Sequence, residues 1–172
     1  MKNLKSPFFA LIIITVLSLI IGCSKKSDNP VDPGTVIKSE ATLTLNGSGF
    51  SNQNVTLGNG GCSYSPTDNL TAVAFSGTIG SDSVLFVFQF VGNNTGAHAW
   101  RSSEPDALIY KYGSSGSLSF YADSTGTTNV SNYGAVNGKV EGSINGKLIE
   151  ATSQSELNIS GTFSALRIPD TQ

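Results

Sequence analysis

The sequence predicts an all-β fold, an antiparallel β-sandwich of about eight to ten short strands. Three observations lead there. Beyond the N-terminal leader no segment sustains a 3.6-residue apolar period, whereas apolar and polar residues alternate repeatedly. β-branched and aromatic residues fill most of the apolar positions. Asn-Gly, the pair that tight hairpin turns favour because both residues tolerate positive φ, stands at 46–47, 59–60, 137–138 and 145–146.

Before the domain comes a leader. Lys2 and Lys5 precede the run Phe8–Ile21, whose 14 residues are apolar apart from Thr15 and Ser18. A spanning helix needs about 20 residues, so the run reads as an export signal and not as a retained membrane span. Ile20-Ile21-Gly22-Cys23 resembles the bacterial lipobox. That resemblance implies a signal peptide over 1–22 and a diacylglycerol on the Cys23 sulfur, with Cys23 as the mature N-terminus. Residues 23–38 hold Pro30, Pro33 and Gly34 with mixed charge and few apolar side chains, the composition of a flexible tether. Its 15 residues after the cysteine place a domain about 20 Å from the bilayer on average. Ser24 follows the cysteine, and there is no acidic cluster. The expected location is the cell envelope, at the outer membrane, with the membrane face open.

Residues 39–172 form one domain of ordinary size. It carries five basic and ten acidic residues, a net charge of −5, with no basic stripe, so nucleic acid is not an expected partner. The elements follow in order. Ala41, Leu43 and Leu45 alternate up to Asn46-Gly47. Val73, Phe75 and Ile79 share a side, as do Leu118 and Phe120, and Leu157, Ile159 and Phe163. Leu108, Tyr110 and Tyr112 alternate; Val136, Val140 and Ile144 lie on one face. Asn145-Gly146 separates Val140–Ile144 from Lys147–Ile149 and predicts a hairpin there, whereas Asn137-Gly138 lies inside an alternating run and suggests a bulge. Ser83–Val91 is apolar on both sides, with Gln89 as the exception. A one-sided antiparallel strand alternates cleanly, so the second side is covered, lines a cavity, or meets a partner. An eight-stranded, lipocalin-like barrel is the alternative to the sandwich, because its lumen would accept one of these sides.

Phe86-Val-Phe-Gln-Phe-Val-Gly-Asn-Asn-Thr-Gly96 and Ile159-Ser-Gly-Thr-Phe-Ser-Ala165 resemble the small lipoproteins of the Bacteroidota over about residues 40–168. The resemblance implies fold class and location, not an activity. Asp82-Ser83-Val84 and Asp123-Ser124-Thr125 resemble that phylum's short O-glycosylation sites, Ser124 being the better placed.

Catalytic motifs are missing from the sequence: there is no G-x-S-x-G, H-E-x-x-H or C-x-x-C. A single histidine makes no His-rich metal site, and no cofactor is implied. Cys62, in Asn59–Tyr64, has no pairing partner once Cys23 is lipidated, and reads as an inert or partly buried thiol in a loop-like segment. The segment with character is His98-Ala-Trp-Arg101 through Asp106, followed by Tyr110 and Tyr112. Trp, Tyr and Arg anchor interfaces, so His98, Trp100, Arg101, Tyr110 and Tyr112 are the candidate recognition residues. The competing reading packs Trp100 into the core and pairs Arg101 with Glu104 or Asp106. The sequence therefore points to a non-enzymatic, membrane-anchored binding or accessory module for glycan or envelope protein. A carrier of a small apolar ligand and a small hydrolase are the alternatives.

Overall fold

The computed structural model describes residues 38–101, 106–113 and 116–171, so Cys23, the leader and most of the tether lie outside the described residues. Ten strands are present among them: β1 Glu40–Gly47, β2 Phe50–Ser65, β3 Leu70–Ile79, β4 Asp82–Val91, β5 Gly96–Ala99, β6 Ala107–Gly113, β7 Gly116–Ala122, β8 Thr127–Tyr133, β9 Lys139–Glu150 and β10 Glu156–Arg167. The all-β reading holds, but the sandwich does not. β1 pairs with β2 on one side and with β10 on the other, from Glu40↔Ser164 to Gly47↔Leu157. That seam closes a ring β1-β2-β3-β4-β6-β7-β9-β10, an eight-stranded antiparallel barrel. A sandwich leaves edges, and in the ring each wall strand is paired on both sides. Gly161 permits the closure: a Cβ there would lie 2.1 Å from the Thr42 carbonyl oxygen.

β5 and β8 are upper continuations of wall strands. β7 pairs with β9 at Leu148–Glu150, and β8 pairs with the same strand from Asn145 to Val140. β7 and β8 are thus one antiparallel partner of β9, broken at Asp123–Gly126. β6 pairs with β7, and β5 with β8, so the neighbouring wall strand is broken as well, between Ala99 and Ala107. Both breaks matter to the site.

Period-2 alternation sends one side of each strand into the lumen. An eight-stranded barrel is just wide enough for side chains to fill. Val84, Phe86, Phe88 and Phe90 of β4 are at most 3% exposed and point inward with Phe75, Phe120, Ile144 and Phe163. Phe88 meets Phe163 at a centroid distance of 4.8 Å, and Phe86 meets Phe88 at 5.3 Å. The lumen is a packed core.

Two turn expectations exchange places. Asn145-Gly146 lies inside β9, while Asn137 (φ 68°) and Gly138 make the turn between β8 and β9, with the Gly138 amide donating to Ala135 O. Val136 is in that turn and exposed, not on the inward face with Val140 and Ile144. Asn59 (φ 47°) sits where the β2–β3 register slips, so this Asn-Gly is a bulge.

Candidate functional site

The candidate recognition residues separate into two places. Trp100 is buried at the break between β5 and β6. Its amide donates to Gly126 O at 2.8 Å and its indole Nε1 donates to Thr128 Oγ1 at 3.2 Å. The ring lies on Gly126 and Gly146, where an added Cβ would come within 1.8 Å and 2.4 Å of it. These glycines are the slot that admits the indole through the wall. Arg101 turns back: its Nη2 and Nε donate to Asp106 Oδ1 at 2.6 and 3.1 Å, and its amide donates to Asp106 Oδ2 at 2.5 Å. Asp106 is 1% exposed, and Gln89 Nε2 approaches its Oδ1 at 3.4 Å. His98 stacks on Phe90 at 4.6 Å, filling the space where β5 departs from β4.

Tyr110 and Tyr112 lie elsewhere, on the outer face of β6. Their rings stack at 5.8 Å with 30° between planes, and they are 37% and 51% exposed. The structure therefore brings Trp100, His98 and Arg101 together around the wall breaks, and leaves the tyrosine pair on its own. Cys23 lies outside the described residues. Ser124 is exposed in the β7–β8 break, and Ser83 is half-buried in β4.

Cys62 is in strand β2, not in a loop, and points inward beside Arg167 in the parallel β2–β10 contact. Burial pushes its thiol up to about 12, against the opposing pull of Arg167. At neutral pH it is protonated and a poor nucleophile. Tyr133, which exchanges a hydrogen bond with Thr71 at 2.9 Å and lies under the Arg167 guanidinium at 5.2 Å, is also raised by burial. A group whose folded pKa is raised stabilises fully below its unfolded value and stops doing so as pH climbs to the folded one. Unfolded Cys62 ionises near pH 9, so stability falls between about pH 9 and 12, at up to about 1.4 kcal/mol per pH unit from this group. Cys62→Ala flattens that decline in urea titrations at successive pH values, and a thiol reagent labels the wild type only after unfolding. Rapid labelling of the native protein at neutral pH would contradict the burial.

Sequence reasoning missed an open groove of about 540 Å³ on the outer face of β1, β10 and β9. Strand register builds its floor. Thr44, Ser160 and Asn145 form one cross-strand row, and Asn46, Asn158 and Lys147 the next. Thr125, from the β7–β8 break, and Asn52 also line it. Lys147 Nζ pairs with Glu156 at 2.9 Å and Asp123 at 3.4 Å, and these partners raise its pKa. Gly146 belongs both to the groove and to the Trp100 slot, so the indole backs the groove from inside. Alternation was the available signal: β1 and β10 read Thr-x-Thr-x-Asn and Asn-x-Ser-x-Thr on their outward sides.

Among the described residues no three His, Cys, Asp or Glu gather in a group fit to hold a metal. No family model matches this chain, and no match is found among curated proteins or solved structures.

Proposed function

We propose that this protein is a lipid-anchored module of the cell envelope, held at the outer membrane through Cys23, that binds glycan or an envelope protein with its outer surface and performs no catalysis. The observation that carries this reading is the contrast between inside and outside. The lumen is occupied by phenylalanine and aliphatic side chains in mutual contact. Ligand-binding sites are concave, with a few convergent polar groups, and the polar groove on β1, β10 and β9 has that form. A carrier of apolar ligands needs an enclosed apolar space, and the described inward side chains are instead in contact with one another. A hydrolase that used a thiol nucleophile would need an activated one, and the Cys62 thiol is buried and held in its protonated form.

Native mass spectrometry of the protein extracted from membranes tests the anchor and the lumen together. The expected species begins at Cys23, carries acyl chains, and holds no additional apolar molecule. An unacylated chain overturns the anchor. A stoichiometric apolar passenger restores the carrier reading.

A further inference from the structure

We propose that the groove across β1, β10 and β9 binds a run of neutral sugar residues. The inference rests on the outer-surface reading above and names its ligand class. The carboxamides of Asn46, Asn145 and Asn158 and the hydroxyls of Ser160 and Thr125 line the groove and make no side-chain hydrogen bond among the described residues. Each carboxamide offers two donors and an acceptor, and each hydroxyl both roles. Sugar hydroxyls, which also donate and accept, are the natural complement.

Charge narrows the class further. Among the described lining residues Lys147 is the one cation, and Glu156 and Asp123 already hold it. A phosphate or uronate would find no unpaired cation, and a cationic ligand would have to break those pairs. Apolar ligands are disfavoured because Ile159, the large apolar residue of the lining, is itself 2% exposed. The geometry suits an extended chain. Adjacent strands lie about 4.8 Å apart, so a polymer crossing β1, β10 and β9 meets a fresh amide or hydroxyl at each strand. Asn46, Asn145, Asn158 and Ser160 sit on paired strands, which fixes their positions before binding, and Thr125 reaches in from the β7–β8 break.

The test uses the full-length lipoprotein in detergent micelles, with affinity electrophoresis through gels containing laminarin, mannan, xylan or dextran, and polygalacturonate as the acidic comparator. At least one neutral polysaccharide is expected to retard the wild type, while polygalacturonate does not. Asn145→Ala with Asn158→Ala, both exposed, is expected to weaken retention by about tenfold or more with an unchanged melting curve. Tyr110→Ala with Tyr112→Ala leaves retention intact. Retardation by no neutral polysaccharide, preference for polygalacturonate, or retention unaffected by the asparagine pair overturns the proposal. If the tyrosine pair alone abolishes retention, the groove assignment fails while outer-surface binding stands. An apolar passenger in the mass measurement would instead remove the outer-surface reading itself.

Discussion

Trp100→Ala lowers the stability of the domain by about 3–5 kcal/mol and its melting midpoint by roughly 10–20 °C. The indole is 4% exposed and fills the slot over Gly126 and Gly146, so truncation leaves a large void lined by backbone that cannot collapse across paired strands. It also strands the buried hydroxyl of Thr128, which loses its donor. Trp100→Phe keeps much of the ring but not Nε1, and falls between the wild type and Trp100→Ala. Thermal melts followed by near-UV circular dichroism measure both variants. A midpoint within a degree or two of the wild type would mean that the indole is not part of the wall.

Asp106→Ala costs about 2–4 kcal/mol, because it removes a buried carboxylate that accepts several hydrogen bonds, while its partner Arg101 is a third exposed and stays solvated. Its carboxylate accepts from the Arg101 backbone amide and guanidinium and is approached by Gln89 Nε2. Truncation leaves the buried Gln89 amide without that acceptor and frees the chain that re-enters the wall at Ala107. Asp106→Asn, which retains an acceptor oxygen, costs less. Urea titrations give the comparison: the midpoint falls while the slope stays constant if only stability changes. A loss below about 1 kcal/mol would show that solvent replaces these bonds easily.

The inward rows of β1 and β10 were legible because their alternation is strict, and those of β3 and β4 because their inner faces carry the large apolar side chains, although β4 is apolar on both sides. The closure was not legible. Alternation gives each strand an inside and an outside, but nothing in Ala41, Leu43 and Leu45 says that their strand pairs with the last one as well as the next. Gly161 bears on that seam only once Thr42 is seen against it. Gln89 looked anomalous because its partner Asp106 belongs to a different strand break. Asn145-Gly146 misled for a related reason. The asparagine faces the groove and the glycine makes way for an indole, so neither residue was placed for positive φ. Trp100, His98 and Arg101 were picked out as interface-type residues, but Trp100 is buried in the wall and Arg101 turns back onto Asp106. The groove went unnoticed because each of its asparagines and hydroxyls is ordinary alone, and only the register aligns them.

Joining the first and last wall strands also governs how copies of this protein behave beside one another. On the proposed lipid anchor, copies would meet far more often than in solution, and an open row of amides and carbonyls would let neighbours zip into aggregates. The ring leaves little to zip. Among the described residues β5, four residues long, pairs with β8 alone, and the His98–Phe90 stack occupies the gap beside it. Crowded copies should therefore stay separate without needing charge to repel them.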